Sequence, residues 1–419
     1  MFKRPGKNLP FYSRSELGSS CVVRDDRHHR MRNDRHHHQI ISLCISNYED
    51  ETKRIISNMR NTIYKLLALE YQNILLTIDG MVLVKDRNSD AMFRIVCGNN
   101  VEEEVVDLFA SEVNVYLLTR SGKCFGVSNY NSWGQTGTNH RNSHEFNAPI
   151  IHAEEVWCEN PETRFISVHS GYGHTYFIST NQKIYFSGNT QLGQAAKQVE
   201  DANILIVTEI KSFSEKRVKL IASGYAFGLA VFDDNSFYGW GSNDCCQLGF
   251  KHTNKSFEFD PLPIKLPTQA EVKGLSAGQN ISLVLVEGCE IYLSGALEHL
   301  KFEEFTKLEL NEFCKNPSES FLDAYIIRNK IYLLGTDHFS IYSGSQMDKI
   351  SVSELKPSEL GLPSQSQLSY KVVPQQMAGE YLSLFIFDVK EPQHFLFKFN
   401  EKNDFCDVII QAWNPYYDV

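Results

Sequence analysis

Side chains capable of acid–base, nucleophilic or metal chemistry are scattered through this sequence. The adjacent carboxylates Asp233 and Asp234 fall in a predicted hairpin turn, where a solvated pair is expected. The run of three glutamates at 102–104 is typical of an exposed loop or helix start. The sequence has no Gly-x-x-x-x-Gly-Lys-Ser/Thr phosphate loop, no His-Glu-x-x-His zinc helix and no Gly-x-Ser-x-Gly nucleophile turn. We therefore predict no catalytic residues and no enzyme chemistry.

Potential metal ligands are concentrated near the N-terminus, at His28, His29, His36, His37 and His38. Neighbouring imidazoles in a flexible tail can chelate a divalent ion, but a specific structural site needs about four ligands on a rigid frame. The ten cysteines include no Cys-x-x-Cys pair, which is typical of a reducing compartment. We predict no metal site and no cofactor.

The charge of the chain is unevenly distributed. The formal net charge is −10, yet residues 1–40 contain nine Lys or Arg against four acidic residues. An acidic body argues against a protein that grips nucleic acid over its whole surface, whereas the basic tail could contact an acidic partner, a nucleic acid or a membrane surface. No apolar run reaches the ~18 residues of a membrane helix. We expect an intracellular protein of the nucleus or cytoplasm, with an Arg-rich mitochondrial presequence as the alternative.

The elements that would position these residues divide the chain into four parts. Residues 1–39 have no hydrophobic period and are predicted to be a disordered basic, His-rich tail. Residues 40–66 are predicted to form a strand at 40–45 and an amphipathic helix at 50–66, because apolar residues recur there at helical spacing. A long repeat region over 67–400 and a C-terminal tail over 401–419 follow.

The repeat region alternates short runs of β-branched and aromatic residues with Gly, Asn and Asp, which predicts many short strands and tight turns. A pattern of an apolar residue, Tyr, two further residues and Gly recurs in it. Its copies end at Gly188, Gly241, Gly295 and Gly335, with spacings of 53, 54 and 40 residues, and a looser copy ends at Gly126.

Two further patterns accompany the first in constant order. A Gln-x-Gly segment ends at Gly137, Gly193 and Gly249, after Asn129, Asn189 and Asn243 respectively. A Ser-Gly or Ala-Gly pair ends at Gly171, Gly224 and Gly278. Three patterns with nearly one period predict a repeat fold. One such unit cannot bury both of its faces, whereas several arranged radially bury them against each other.

The repeats resemble a known family. Residues 240–249, Trp-Gly-Ser-Asn-Asp-Cys-Cys-Gln-Leu-Gly, resemble the hallmark of regulator-of-chromosome-condensation repeats, with Cys246 where the family usually has Gly. Residues 171–175, Gly-Tyr-Gly-His-Thr, are similar to the family's Gly-x-x-His-Ser/Thr segment. The resemblance covers roughly residues 64–390 and is strongest over 106–296.

The resemblance implies an all-β fold, a seven-bladed β-propeller preceded here by the short helix and the disordered tail. Units are expected to begin near Leu67, Val106, Ile166, Val218, Val272, Phe321 and Val372. The strand at 40–45, or one at 395–399, is expected to close the ring. The residues assigned to the structural repeat are Gly126, Gly171, His174, Gly188, Gly193, Gly224, Trp240, Gly241, Asn243, Gly249, Gly278, Gly295 and Gly335.

The same features predict a binding protein. Tyr130, Trp133 and Trp157 lie in or beside the long loop after the second unit, and aromatic residues on loops of a rigid scaffold often form binding hot spots. Packing beneath that loop is the alternative. We expect a non-catalytic scaffold or regulatory adaptor with a protein partner. Two alternatives stay open: a guanine-nucleotide exchange factor for a small GTPase, as the family includes one, and a chromatin-associated protein that uses its basic tail.

Overall fold

The chain folds almost entirely as β-strands. The computed structural model describes residues 38–43, 63–68, 72–77, 80–86, 92–98, 103–111, 113–144, 150–251, 256–297, 300–309, 323–327, 330–334, 338–342, 347–351, 370–374, 384–388 and 408–413. These residues form 28 strands and one 3₁₀ turn, Lys211–Phe213, and contain no α-helix. The predicted all-β class is confirmed.

Most strands belong to units of four that follow one another in the chain. Unit one comprises β2 (Ile63–Ala68), β3 (Gln72–Thr77), β4 (Val82–Asp86) and β5 (Met92–Cys97), and unit two comprises β6 (Val105–Ala110), β7 (Asn114–Thr119), β8 (Cys124–Ser128) and β9 (Ile150–Glu155). Unit three comprises β10 (Phe165–Ser170), β11 (His174–Ser179), β12 (Ile184–Asn189) and β13 (Asn203–Glu209). Unit four comprises β14 (Val218–Ser223), β15 (Phe227–Phe232), β16 (Phe237–Ser242) and β17 (Phe257–Pro263).

The later units have the same plan. Unit five comprises β18 (Val272–Ala277), β19 (Ile281–Val286), β20 (Glu290–Leu297) and β21 (Leu300–Lys307), and unit six comprises β22 (Asp323–Ile327), β23 (Lys330–Leu334), β24 (His338–Tyr342) and β25 (Met347–Ser351). A further sheet combines β1 (His38–Leu43) with β26 (Tyr370–Pro374), β27 (Leu384–Asp388) and β28 (Val408–Trp413).

Each of units one to six is an antiparallel meander in which consecutive strands pair. Units one and two are joined into one eight-stranded sheet because β5 pairs in parallel with β9, from Arg94 opposite Ile150 to Cys97 opposite Ala153. In the terminal sheet β1 runs antiparallel to β28, with His38 opposite Trp413 and Leu43 opposite Val408.

The units pack side by side. The first strands lie against one another, β6 against β2 and β10, and β18 against β14 and β22. Five clusters of buried apolar side chains each draw members from two successive units, for example Tyr116 with Phe177 and Tyr176 with Trp240. Second strands such as β11 and β15 are buried along their whole length, while the fourth strand β13 is partly exposed. Sheets covered on both faces explain why these strands are continuous apolar runs. This is the radial packing of a β-propeller.

The terminal elements differ from the prediction in two places. The helix expected over 50–66 is wrong at its C-terminal end, because residues 63–68 form β2 and pair with β3. Residues 50–62 lie outside the described residues. The segment 401–419, expected as a tail, contains β28, which pairs with β1. A strand near 40–45 does pair with the C-terminal end of the chain, while residues 395–399 lie outside the described part.

The first strands of the units and of the terminal sheet begin close to the expected positions, at Ile63, Val105, Phe165, Val218, Val272, Asp323 and Tyr370. The blade number of seven, the closure of the ring and the domain boundaries stay predictions.

Candidate functional site

Each unit has two ends that differ in their loops. Because successive strands are antiparallel, the first turn and the loop between the third and fourth strands lie at one end of the sheet. We call this end the motif face; in unit three it carries residues 171–173 and 190–202. The opposite end, the hairpin face, carries the second turn and the link to the next unit, residues 180–183 and 210–217 in unit three.

Glycines at the end of the third strand keep the motif face closely packed. Gly188, Gly241 and Gly295 have φ of 109°, 96° and 111°. A Cβ on Gly188 would lie 2.4 Å from the carbonyl oxygen of Gly173, and one on Gly295 would lie 2.2 Å from that of Asn280. Both the backbone conformation and the approach of the first turn therefore require glycine.

Unit two departs from the alignment inferred from the sequence. Ser128 pairs with Asn114, the first residue of the second strand β7, just as Gly188 pairs with His174, the first residue of the second strand β11. Ser128, and not Gly126, is thus the counterpart of Gly188. Gly126 lies two residues earlier and has no positive φ.

A glutamine closes the tight turn in the loop between the third and fourth strands of units two, three and four. Its Oε1 accepts the backbone N–H two residues earlier: Gln135 from Trp133 at 3.3 Å, Gln194 from Leu192 at 2.8 Å and Gln247 from Cys245 at 2.9 Å. The counterpart in unit three is therefore Gln194, and the alignment of Gln191 with Gln135 and Gln247 is wrong by three residues.

The same shift moves the residues around this glutamine. Gly193 takes the place of Gly134 and Cys246, just before the glutamine, with φ of 83°, 70° and 68°. Oδ1 of Asn131 and of Asn243 accepts the backbone N–H five residues later, so Asn131, not Asn129, is the counterpart of Asn243. Hydrogen-bond geometry shows which residues are equivalent in the three loops. Residue spacing in the sequence misplaces them, because the loops contain insertions of different length.

The motif-face loops also bind the next unit. The carbonyl oxygen of Gln135 accepts a hydrogen bond from Ser187 Oγ at 2.8 Å. Trp240, which is fully buried, donates its Nε1–H to the carbonyl oxygen of Gln194 at 3.0 Å and to Tyr176 Oη at 2.9 Å. The bonds to the carbonyl oxygens of Gln135 and Gln194 each connect a motif-face loop to a strand of the following unit.

His174 has a structural role in this layer. The side chain is fully buried, its Nε2 lies 3.0 Å from Ser223 Oγ, and its Nδ1 has no hydrogen-bond partner. Burial lowers the pKa of His174 to about 3. The imidazole is neutral at physiological pH. Phe227 and Ile281 occupy the same position in units four and five, where each is paired with the glycine that ends the third strand.

Side-chain hydrogen bonds cross-link the described part of the loop of unit two, residues 129–144. Asn131 donates its backbone N–H to Ser143 Oγ and its Nδ2–H to the carbonyl oxygen of His140, both at 3.0 Å. Glu154 accepts from Nε2 of His140 at 2.5 Å and lies 3.2 Å from Nε2 of His144. The loop is therefore a preorganised support for Tyr130 and Trp133.

Four aromatic rings run from this loop across the motif face, and we call Tyr130, Trp133, Tyr172 and Tyr225 the aromatic strip. The ring centroids of Tyr130 and Trp133 are 5.1 Å apart at 77°, and those of Trp133 and Tyr172 are 5.1 Å apart. Tyr172 and Tyr225 stack at 4.6 Å and 11°. The strip thus connects three successive units.

The strip is partly accessible and packs on the backbone beneath it. Tyr130 is 42% exposed, and the other three rings are half-buried. Trp133 lies over Gly173, where an added Cβ would come within 2.9 Å of the indole. Half-burial raises the pKa of Tyr225, with the Tyr172 phenol adding to the effect. The Tyr225 phenol therefore stays protonated at neutral pH.

The three aromatic residues named from the sequence do not form one cluster. Tyr130 and Trp133 meet, whereas Trp157, 57% exposed, has no ring contact with any residue that the structure describes and is held through backbone hydrogen bonds with Gly137 and Val207. Sequence reasoning missed Tyr172 and Tyr225. Their signal was in the repeat, since each tyrosine directly follows the glycine of the first turn.

The hairpin face has a different character, because oppositely charged side chains cover it in pairs. Lys216 lies 2.5 Å from Asp234, and Arg217 lies 3.2 Å from Asp233. These carboxylates are therefore the solvated hairpin pair that the sequence predicted, and the lysine hydrogen bond lowers the pKa of Asp234 to about 2. Exposed pairs of this kind add little stability.

Other predicted features are only partly covered by the structure. Gly335 and residues 1–37 lie outside the described residues. Within the described ranges, no group of three or more His, Cys, Asp or Glu side chains is placed to hold a metal ion. No helix among the described residues is long and apolar enough to cross a membrane.

Comparison with known proteins identifies the repeats. The family model described as "Regulator of chromosome condensation (RCC1) repeat" matches residues 234–285. The guanine nucleotide exchange factor SRM1 of Saccharomyces cerevisiae is 27% identical over 130 residues, which cover 30% of this chain and 27% of that protein. The X-linked retinitis pigmentosa GTPase regulator of Mus musculus is 32% identical over 130 residues, 31% of this chain and 13% of that protein. The matched segment is thus less than a third of each relative.

Solved structures support the fold. Human WBSCR16 superposes with a TM-score of 0.54 at 16% identity, covering 67% of this chain and 76% of that one. Yeast RCC1 (Prp20), solved bound to Kap60, gives a TM-score of 0.55 at 14% identity, covering 81% of this chain and 86% of that one. The repeat match, the relatives and the shared propeller agree with the turn geometry described above and support a divergent, RCC1-like chain in which residues 234–285 match the regulator-of-chromosome-condensation (RCC1) repeat.

Proposed function

We propose that this chain is a non-catalytic protein-interaction scaffold or regulatory adaptor that binds a protein partner through its motif face. The aromatic strip is the observation that carries the proposal, because partly exposed aromatic rings on rigid loops are typical of binding hot spots. Tyr130 and Trp133 belong to the proposed surface. Trp157 does not, because it makes no ring contact with the strip. We propose the nucleus or cytoplasm as its compartment.

Affinity capture with the full-length chain tests this proposal. Wild type, a Tyr172→Ala/Tyr225→Ala double variant and a Trp157→Ala control would each be tagged and expressed, and the captured proteins would be quantified by mass spectrometry. We expect the double variant to lose partners that wild type and the control retain. Thermal melting of all three would show whether the double variant still folds. The same partners on a folded double variant would exclude the strip as the binding surface.

Guanine-nucleotide exchange on a small GTPase is the second candidate, favoured by the similarity to the exchange factor SRM1. An exchange factor acts by stabilising the nucleotide-free state of its GTPase, a difference in binding between states that needs no covalent chemistry. Faster release of a fluorescent GDP analogue in the presence of the purified chain would support it. Unchanged release, together with no retention of nucleotide-free GTPase, would exclude it.

A basic-tail contact with chromatin or nucleic acid stays a separate prediction, since residues 1–37 lie outside the described part of the chain. Deleting these residues should abolish such binding and flatten its salt dependence.

A further inference from the structure

A buried glutamine holds the backbone beside two rings of the aromatic strip. Gln135 is fully buried, and its Oε1 accepts the backbone N–H of Trp133 at 3.3 Å. Its Nε2 donates to the carbonyl oxygen of Tyr130 and, at 3.3 Å, to Oδ1 of Asn114. The side chain that fixes the turn of Tyr130 and Trp133 is therefore itself held by Asn114.

Asn114 extends this contact to unit three. It is the first residue of β7 and is fully buried, and its Nδ2 donates to Ser170 Oγ at 3.1 Å and to Ser111 Oγ at 3.0 Å. Ser111 directly follows β6 of the same unit, whereas Ser170 ends β10 and lies two residues before Tyr172. Asn114 is thus bonded both to the loop of unit two, through Gln135, and to the first turn of unit three, through Ser170.

The hydrogen bonds close into a cycle between the two units. Ser170 Oγ lies 2.9 Å from Thr175 Oγ1, Thr175 Oγ1 lies 2.8 Å from Tyr116 Oη, and the Tyr116 O–H donates to the carbonyl oxygen of Gln135 at 2.9 Å. Because Tyr116 uses its one hydroxyl proton there, Thr175 donates to Tyr116 and Ser170 donates to Thr175. Hydrogen bonds that run in one direction through a buried site strengthen one another and favour a single arrangement.

A similar link recurs between units three and four. His174, the first residue of β11, has its Nε2 3.0 Å from Ser223 Oγ, and Ser223 lies two residues before Tyr225. Tyr172 in turn donates its backbone N–H to the carbonyl oxygen of Tyr225 at 3.3 Å. A polar residue at the start of a second strand therefore contacts the serine that precedes each tyrosine of the strip.

Units four and five show that packing alone does not require a polar side chain at this position. Phe227 and Ile281 occupy it there, and both are fully buried. The first turn of unit five, which follows Phe227, carries Gln279 at the position of the strip tyrosines. A buried amide costs stability unless its hydrogen bonds are made. Asn114 is therefore explained by the turns that it connects and not by the filling of the core.

We propose that Asn114 is a positioning residue of the binding surface, which fixes the turn that carries Trp133 against the turn that carries Tyr172. The inference rests on the proposed function, because it assigns a further residue to the same surface. Asn114 is fully buried and acts only through Gln135 and Ser170. Without it the two turns would move independently, and a partner would have to order them on binding, which lowers affinity.

Fluorine NMR of the full-length chain labelled with fluorotryptophan tests the positioning. The Trp133 resonance would be assigned from a Trp133→Phe variant. Asn114→Leu keeps the branched shape of the side chain but makes no hydrogen bond, and Ser170→Ala breaks the link to unit three. Each should shift or broaden the Trp133 resonance, because the rings of Tyr130 and Tyr172 lie beside the indole.

Ser111→Ala is the matched control. It removes a buried hydroxyl that is bonded to the same amide but leaves the cycle intact, so the Trp133 resonance should stay at its wild-type position. Thermal melting of every variant separates the two effects, since a loss of stability alone lowers the melting temperature and leaves the resonance of the folded chain unchanged.

Affinity capture with the same variants relates position to binding. Asn114→Leu should recover the partners of wild type roughly tenfold less well, and Ser111→Ala should recover them as wild type does. An unchanged Trp133 resonance in folded Asn114→Leu, or an equal change in Ser111→Ala, would overturn the inference.

The outcomes separate the inference from the proposed function. If the Tyr172→Ala/Tyr225→Ala variant loses its partners while Asn114→Leu, with a shifted resonance, captures as wild type does, the inference fails and the proposed function stands. If the folded double variant keeps its partners, the proposed function fails, and Asn114 then positions no binding surface.

Discussion

At the scale of single residues, backbone geometry decides which positions tolerate change. Gly295 has a φ of 111° and faces the carbonyl oxygen of Asn280, while Gly288 has a φ of 88° with nothing within 4 Å of an added Cβ. Both conformations disfavour side chains, but only Gly295 combines the conformation with a collision against backbone. Substitution by alanine should therefore reduce the stability of the fold more at Gly295 than at Gly288, although both glycines belong to unit five.

We expect Gly295→Ala to lower the free energy of unfolding by about 3 kcal/mol or more, because a backbone collision cannot be relieved by a rotamer change. Gly288→Ala, the matched control, should cost about 1 kcal/mol, the ordinary cost of a left-handed conformation. Urea denaturation followed by circular dichroism measures both. Equal effects would mean that the close approach at Gly295 is not present in solution.

His174 should give the protein a measurable sensitivity to acid. Well above pH 6.5, its ordinary pKa, the imidazole is neutral in both the folded and the unfolded chain and adds no pH dependence. Between pH 6.5 and its folded pKa of about 3, the unfolded chain binds a proton that the folded chain excludes. Stability should therefore fall as the pH falls, by up to about 1.4 kcal/mol per pH unit from this group.

The comparison is His174→Phe, which places in unit three the residue found at Phe227 in unit four. Unfolding free energies of wild type and variant would be measured from pH 7.5 to pH 5, and the variant should show the smaller slope. Parallel pH profiles would refute the assignment of this acid sensitivity to His174.

At the scale of elements, the loops between third and fourth strands have two structural roles. Their backbone carbonyls accept hydrogen bonds from the next unit, and the loop of unit two presents Tyr130 and Trp133. Since the same loop is braced from within by Asn131 and at its end by Glu154, binding energy need not be used to order it. Unit packing and site preorganisation are thus coupled through these loops.

Removing the hydrogen bond from the Trp240 indole to the carbonyl oxygen of Gln194 should weaken the packing of unit three against unit four. Trp240→Phe leaves a cavity in a fully buried site and deprives the carbonyl oxygen of Gln194 of one donor. We expect a loss of about 2 kcal/mol in the free energy of unfolding. Trp157→Phe, at a side chain that is 57% exposed, should change it by less than about 0.5 kcal/mol. A similar effect of the two substitutions in urea denaturation would contradict the inter-unit role of Trp240.

At the scale of the whole molecule, the two chain ends contribute to one sheet. The pairing of β1 with β28 places residues 38–43 beside residues 408–413. Without β1, the β28 strand would lose all of these partners and present an unpaired edge. The terminal sheet therefore depends on residues that directly follow the basic tail.

Two truncated chains should separate the tail from the strand. A chain lacking residues 1–37 should melt as the full chain does, because β1 is retained. A chain lacking residues 1–43 should melt several degrees lower and should be cleaved earlier by protease near residues 408–413. Thermal melting and limited proteolysis with mass spectrometry measure both. Identical behaviour of the two truncated chains would exclude a stabilising role for β1.

The sequence by itself determined the repeat, the all-β class, the starts of the first strands and the resemblance to RCC1 repeats. It could do so because the close approach of the backbone requires glycine at Gly188, Gly241 and Gly295. These required glycines therefore recur in the sequence at a nearly regular period. Only the tertiary structure decided which residues are equivalent inside the variable loops. Gln194 replaces Gln191 there because hydrogen-bond geometry, and not residue count, defines the turn.

The tertiary structure alone also assembled the aromatic strip. Tyr130 and Trp133 belong to unit two, Tyr172 to unit three and Tyr225 to unit four, and only the radial packing of those units brings their rings together. Trp157 is close in sequence to the same loop, yet the backbone pairing of its segment with β13 keeps it out of ring contact with the strip. Local pattern can fix strands and turns, but contacts between side chains from different units depend on how those units pack.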